Sequence, residues 1–207
     1  MSSSPEIKCS KNGPYLVNQL EDLRDANGNC IETKPMMALC RCGGSASKPF
    51  CDGTHQKNGF SGERLVDGSA NRLDSYVGKR ITIHDNRSIC AHSGRCSDGL
   101  ANVFKYKSEP WIDPDGAGVE AIIKTIRSCP SGALSYTLDG LEAPDQGLSP
   151  SITLTRDGPY AVVGQVKLSG QSCEQGAATE HYTLCRCGGS KNKPFCDGSH
   201  WRLGFKA

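Results

Sequence analysis

The stretch Cys40-Arg-Cys42-Gly-Gly-Ser-Ala-Ser-Lys-Pro-Phe-Cys51-Asp-Gly-Thr-His55 is followed, 145 residues later, by Cys185-Arg-Cys187-Gly-Gly-Ser-Lys-Asn-Lys-Pro-Phe-Cys196-Asp-Gly-Ser-His200. Three thiols and one imidazole thus recur at identical spacing, a complete set of soft and borderline metal ligands in each copy. A packed core has no reason to repeat such a set. The repeat also extends beyond the ligands. Ile7, Gly13-Pro14-Tyr15, Val17, Leu23 and Leu39 match Ile152, Gly158-Pro159-Tyr160, Val162, Leu168 and Leu184, and Gly59-Phe60 matches Gly204-Phe205, without an insertion.

Little else in the chain could hold such modules together. Of 207 residues only 36% are hydrophobic, with 24 Gly and 11 Pro. Domains of about 60 residues are marginal on burial alone and usually need a metal or disulfide staple. The N-terminal segment lacks the apolar run of a signal peptide, and no stretch approaches the roughly 18 apolar residues that span a bilayer. The expectation is a soluble, cytoplasmic protein without a membrane partner. In a reducing compartment its twelve Cys read as metal ligands, not disulfides. A disulfide scaffold would also leave the matched histidines unexplained. A net charge of +2 provides no broad basic field, so no nucleic-acid partner is expected.

Two copies of one module therefore flank an unrelated middle segment, with boundaries expected at 1–69, 70–148 and 149–207. The first boundary falls near Asp67-Gly68-Ser69-Ala70, and Gly140 to Pro150 reads as the second linker. Each module opens on a turn, Asn12-Gly13-Pro14 or Asp157-Gly158-Pro159. Tyr160 to Leu168, Met36 to Leu39 and Tyr182 to Leu184 read as strands, and the remainder as ligand-bearing loop. In the middle segment Lys79 to His84 alternates as a strand. Val119, Ile122, Ile123 and Ile126 recur at helical spacing, so Val119 to Ser128 reads as an amphipathic helix, and Ala133 to Leu138 as a closing strand. The fold class is α+β: two small β-rich modules and a ferredoxin-like α+β middle domain of strand-helix-helix-strand plan.

Cys40 and Cys42 are close enough in sequence to reach one metal atom, and Gly43 and Gly44 permit tight backbone approach. Asp52 can accept hydrogen bonds from the turn that follows, which places Cys51 and His55 on one face. A structural zinc accepts a Cys3His set, but commonly through a C-x2–4-C pair. A binuclear iron–sulfur cluster needs two ligands on each iron, and a C-x-C pair with a Cys/His pair suits that division. The pattern C-x-C-x2-Ser-x3-Pro-x-Cys-Asp-Gly-(Ser/Thr)-His resembles the signature of the CDGSH iron–sulfur (NEET) family. That resemblance implies a [2Fe-2S] cluster on Cys40, Cys42, Cys51 and His55, and a second on Cys185, Cys187, Cys196 and His200. It also implies two modules packed about a pseudo-twofold axis, here within one monomeric chain.

Cys90, Cys96 and Cys129-Pro130 remain. Cys90-Ala-His-Ser93-Gly-Arg-Cys96 has the outer spacing of a ferredoxin C-x2-C-x2-C loop, with Ser93 at the middle position, and Cys129-Pro130 resembles the Cys-Pro that supplies a further ligand. The stretch from Ile89 to Leu134 resembles the divergent single-cluster ferredoxin domain. Three thiolates suit a [3Fe-4S] cluster; a [4Fe-4S] cluster would need Ser93, His92 or water at its fourth iron.

Other candidates read as structural. Cys9 aligns with Leu154 and reads as a small buried hydrophobe; Cys30, Cys173, His84 and His181 match neither pattern. Trp111 reads as packing, and Lys48 and Lys193 as solvated surface. No nucleophile–base pair, phosphate loop or dinucleotide fingerprint appears, so no enzyme activity is expected. The expected function is electron transfer with an unidentified redox partner. The alternatives are a cluster donor or redox sensor acting on an apo-protein partner and, last, a zinc-stapled interaction protein.

Overall fold

The computed structural model describes residues 4–66, 72–144, 146–170 and 180–207. The boundary expected at Asp67 to Ala70, and Cys173, lie outside the described residues. Among the described residues twelve strands form three four-stranded sheets.

The first module contributes β1 (Glu6–Cys9), β2 (Tyr15–Asn18), β3 (Leu23–Arg24) and β4 (Met36–Leu39). The middle domain contributes β5 (Asp74–Val77), β6 (Ile81–Asp85), helices α1 (Arg95–Gly99) and α2 (Val119–Arg127), β7 (Leu134–Leu138) and β8 (Leu141–Glu142). The second module contributes β9 (Ser151–Leu154), β10 (Tyr160–Val163), β11 (Lys167–Ser169), β12 (Tyr182–Leu184) and a short helix α3 (Ser199–Arg202).

The modules exchange strands. β11 of the second module pairs in parallel with β1 of the first, and β3 of the first pairs in parallel with β9 of the second. The sheet orders β11-β1-β2-β4 and β12-β10-β9-β3 are the result. The single strand expected over Tyr160 to Leu168 is thereby corrected. Gly164 at φ 80° and Gln165 at φ 57° break it, and its second half crosses to the partner module. One apolar core serves both modules, with Ile7, Tyr15, Val17, Leu23 and Leu39 packed with Ile152, Tyr160, Val162 and Leu184. These are positions at which the two copies match: across the pseudo-twofold Ile7 stands beside Leu168 and, reciprocally, Leu23 beside Ile152, while Tyr15 meets its own counterpart Tyr160.

Two buried tyrosines lock that axis. Their rings meet edge to face at 6.1 Å between centroids. The Tyr15 hydroxyl donates to the Cys185 carbonyl at 2.9 Å, and the Tyr160 hydroxyl donates to the Cys40 carbonyl at 2.9 Å. Each module therefore holds the other's first thiol loop. Removing one hydroxyl leaves a buried carbonyl without that donor, at a cost of about 1–3 kcal/mol. Tyr15→Phe and Tyr160→Phe should lower stability by nearly equal amounts in thermal unfolding; unequal effects would contradict the reciprocal arrangement.

In the middle domain, β6 and β7 are antiparallel neighbours, and β5 and β8 extend the sheet on either side. The strand-helix-helix-strand plan is thus completed by two outer strands that carry little apolar signal. Helix α2 buries Ile122 and Ile126 beneath this sheet, with Val103, Phe104 and Ile112 in the same core. Trp111 packs there as expected, its ring 5.8 Å from Phe104 and beneath the Arg87 guanidinium at 3.9 Å.

Candidate metal centres

In each module the four expected donors come together as two pairs. The Cys40 and Cys42 sulfurs lie 3.8 Å apart, and Cys51 Sγ lies 3.3 Å from His55 Nδ1. The second module repeats both distances, 3.8 Å for Cys185 with Cys187 and 3.3 Å for Cys196 with His200 Nδ1. Two sulfurs each about 2.3 Å from one tetrahedral ion stand about 3.8 Å apart, so each C-x-C pair has the separation of two ligands on one metal atom. Among the described residues no group of three or more such side chains is gathered closely enough to hold one metal ion. Two pairs, one for each metal, would suit a binuclear group.

The loops that carry these donors are held by backbone geometry. The Gly44 N–H donates to Cys42 Sγ at 3.4 Å, and the Gly189 N–H to Cys187 Sγ at 3.5 Å. Asp52 sits just before the turn that bears His55. One of its oxygens accepts from the Thr54 N–H at 3.0 Å and the other from the Ala46 N–H at 2.8 Å, which ties the histidine turn to the thiol loop. Hydrogen bonds from Thr54 and Ala46 hold this carboxyl well below the usual range, so it stays an acceptor. Asp197 makes the equivalent bonds to the Ser199 and Lys191 N–H groups.

The residue between each thiol pair, which sequence reasoning passed over, is a buried arginine. Arg41 is 1% exposed and Arg186 2%. Arg41 donates to the carbonyls of Ser10 and Gly62, and Arg186 to those of Gly158, Thr155 and Ala207. A buried cation held by carbonyls is costly unless negative charge lies near. Thiolates coordinating a metal would supply it, so the cations suit a ligand set loaded as thiolates. Without a metal, burial opposes that charge. It pushes Cys196 up to about 12, while a hydrogen bond from Cys185 brings Cys187 down to about 7.

The two C-x-C loops touch at the pseudo-twofold. A Cβ on Gly43 would lie 2.6 Å from the Cys187 carbonyl oxygen, and one on Gly188 would lie 2.6 Å from the Cys42 carbonyl oxygen. Both glycines have left-handed φ, 76° and 78°.

Cys90, Cys96 and Cys129, distant in sequence, line one cavity of about 1070 Å³ together with His92 and Ser93. Cys90 follows a short 3-10 turn, Cys96 lies in the first turn of α1, and Cys129 follows the end of α2. The His92 N–H donates to Cys90 Sγ at 3.4 Å, and Arg87 Nη1 reaches the same sulfur at 3.8 Å. Burial pushes the Cys96 thiol up to about 11 and raises Cys90 too. Three half-buried thiols around one cavity fit a cluster whose irons would neutralise them as thiolates.

The remaining candidates fall largely as expected. Cys9 is buried in the shared core and Cys30 is exposed. His84 bridges Ser75 and Thr137 hydroxyls at 2.8 and 2.7 Å on the middle sheet. Lys193 is the correction: it is buried, donates to the Ser190 carbonyl at 2.6 Å, and lies over the Phe60 ring of the first module. The Leu65 N–H donates to the Lys191 carbonyl at 2.8 Å, so the segment after Phe60 covers this loop and excludes the solvent expected there.

The middle domain docks on the second module. Asn192 donates to the Ser88 carbonyl at 2.6 Å, Trp201 Nε1 to the His92 carbonyl at 3.2 Å, and His181 Nε2 lies 3.1 Å from the Cys129 carbonyl oxygen. The corresponding first-module residues are Ser47, Gln56 and Met36. These contacts were missed by sequence reasoning, although the divergence between the two copies at these positions is their signal.

The comparisons with known proteins agree with this partition. A family model described as iron-binding zinc finger CDGSH type matches residues 12–56 and again 157–201. One described as divergent 4Fe-4S mono-cluster matches residues 76–139. The uncharacterized protein YjdI of Escherichia coli strain K12 is 42% identical over 74 residues, 36% of this chain and 93% of the relative, and the O157:H7 protein of that name matches to the same extent. No solved structure matches. No described helix is long and apolar enough to cross a membrane. The chain belongs to the iron-binding CDGSH-type family, its two modules flanking a divergent 4Fe-4S mono-cluster domain.

Proposed function

We propose that the chain is an electron-transfer protein with two [2Fe-2S] sites and a third, larger iron–sulfur site. Cys40, Cys42, Cys51 and His55 would hold one binuclear cluster, Cys185, Cys187, Cys196 and His200 the other, and Cys90, Cys96 and Cys129 the third. The observation that carries this reading is the contact of the two C-x-C loops, Gly43 against the Cys187 carbonyl and Gly188 against that of Cys42. It brings the loops of the two proposed ligand sets into backbone contact. The chain's own part is to fix the donors, bury the cations Arg41 and Arg186 beside them, and keep water from the second set.

Freshly purified protein should show visible charge-transfer absorption that bleaches with dithionite; a colourless protein would mean zinc. In stopped-flow mixing with a one-electron acceptor, the reduced protein should reoxidise faster than it loses iron to an apo-ferredoxin. The opposite order would favour cluster donation, the reading supported by the partial exposure of His55. Because the modules pair internally, light scattering should report a monomer.

The middle site provides three thiolates, the whole ligand set of a [3Fe-4S] cluster, whereas the matching family description names 4Fe-4S. An oxidised [3Fe-4S] cluster is paramagnetic as isolated. A signal before reduction that is lost in Cys129→Ala is the expected result; a signal only after reduction means [4Fe-4S], whose fourth iron would take Ser93, His92 or water, both side chains lining the cavity. Ser93→Cys should convert the site to an ordinary [4Fe-4S] centre.

Acid should weaken the histidine-ligated sites. A histidine ligand must stay neutral, and protons compete with the metal as pH falls. Burial depresses the His200 proton affinity, with Arg186 and His92 adding to the effect and Asp197 opposing it. Its neutral form therefore persists as pH falls below the ordinary imidazole range near ~6.5, and any stability it contributes is lost only at lower pH. Loss of visible absorbance should accelerate as pH falls through the weakly acidic range. His55→Cys with His200→Cys should slow that loss and lower both potentials; unchanged bleaching would remove the histidines from the ligand sets.

A further inference from the structure

The two modules are twins in sequence and unequal in surroundings. Gly53 and Gly198 occupy the same place, just after the third cysteine, and both adopt left-handed φ, 87° and 80°. A Cβ on Gly53 would meet nothing within 4 Å, whereas one on Gly198 would lie 2.8 Å from His92 Cδ2. The His92 side chain therefore lies against the second module's ligand turn at Gly198, and the equivalent place beside Gly53 in the first module is open. His92 itself is held at φ 52°, an uncommon conformation for a non-glycine residue. Its carbonyl is fixed by Trp201 and its N–H by Cys90 Sγ. On the other side of the contact, the Gly198 N–H donates to Cys196 Sγ at 3.5 Å.

These contacts form an unbroken line of residues: Cys90 Sγ, the His92 N–H and ring, Gly198 and its N–H, Cys196 Sγ. It continues from the second module to the first through Cys187 and Gly43. We infer that His92 is the coupling residue between the middle and second ligand sets, so that the second module is the inner member of the chain and the first the outer one. The first module, with His55 only partly buried and open space beside Gly53, is then the face at which a redox partner exchanges electrons. This inference rests on the electron-transfer reading. With the sites loaded, the line would pass single electrons with no bond made or broken and no proton required to move.

The docking contacts make the assignment specific. His181, Asn192 and Trp201 hold the middle domain, and none has its like in the first module, where Met36, Ser47 and Gln56 stand instead. A symmetric protein would have kept both faces alike.

Electron paramagnetic resonance on the full chain reduced with dithionite tests the inference. Cys51→Ala leaves only the second-module [2Fe-2S] signal, and Cys196→Ala only that of the first. A nearby paramagnet speeds relaxation. Adding Cys96→Ala, which removes the middle cluster, should slow relaxation several-fold in the Cys51→Ala background and leave it unchanged in the Cys196→Ala background. Equal slowing in both, or in neither while iron analysis reports a loaded middle site, would overturn the inference and leave the electron-transfer reading standing. No cluster signal in any variant would overturn both. His92→Gly keeps the backbone donor and suits the left-handed φ. It should preserve iron content yet slow electron equilibration between the middle and second-module signals several-fold after mixing with substoichiometric dithionite. His92→Asn, which tolerates the same backbone, should do likewise. An unchanged rate in a variant of full iron content would remove the ring from the path.

Discussion

Cys196→Ala is expected to empty the second module and to loosen the middle domain with it, whereas Cys51→Ala should empty the first module alone. The difference follows from what stands on each ligand loop. Cys196 is 2% exposed, and the loop and turn around it carry Asn192 to Ser88, Trp201 to His92 and Gly198 against the His92 ring. The loop around Cys51 has open space beside Gly53. Metal binding to small modules is itself folding free energy, with apparent values of about 10–16 kcal/mol for structural zinc in peptides. A site that loses one of its four donors loses a large part of whatever its metal supplies. Iron and sulfide analysis should report the missing cluster in either variant. Hydrogen exchange should report faster exchange over 86–96 only in Cys196→Ala. Unchanged metal content would contradict the ligand assignment, and equal exchange in the two variants would contradict the docking.

Gly43→Ala and Gly188→Ala should each cost several kcal/mol, and each should damage both modules. Two penalties add at these positions. Left-handed φ costs an ordinary residue about 1–2 kcal/mol. The new methyl would also stand 2.6 Å from a backbone carbonyl oxygen of the opposite loop, which cannot swing aside as a side chain can. The C-x-C loops would have to part, and with them the bonds from Tyr15 to Cys185 and from Tyr160 to Cys40. Gly53→Ala is the control, since it meets the same left-handed penalty with nothing within 4 Å. Thermal unfolding should place the first two variants well below the third. Comparable melting temperatures for all three would mean that the loops do not meet at the axis.

The candidate donor sets were legible because residue type and spacing carry them, and the same pattern occurs twice. Helix α2 was legible from Val119, Ile122, Ile123 and Ile126, and the structure ends it at Arg127. The strand exchange was not. β3 has two residues and β11 three, too short for any alternation to register, and their partners lie in the other module. β5 exposes Val77, and β8 is exposed at both of its residues, so neither carries a buried face to read. Lys193 looked like solvent-facing charge because part of its cover, Phe60, comes from the other module. The buried arginines between the thiol pairs were hidden for a similar reason, since a charged residue reads as surface until its carbonyl partners are known. The docking face was present in the sequence as disagreement between the copies, at Met36 and His181, Ser47 and Asn192, and Gln56 and Trp201.

The central claim is that two three-cysteine, one-histidine sets each hold a binuclear iron–sulfur cluster beside a third, larger one. Mössbauer spectroscopy of the iron-57 protein tests it most directly, with total iron and acid-labile sulfide measured on the same sample. The account predicts about seven or eight irons per chain. The reduced spectrum should resolve one set of irons bound by two thiolates and a second, equal set bound by one thiolate and one imidazole, and His55→Cys with His200→Cys should convert the second set into the first. Zinc in place of iron, or irons of the two modules that all report the same ligands, would contradict it.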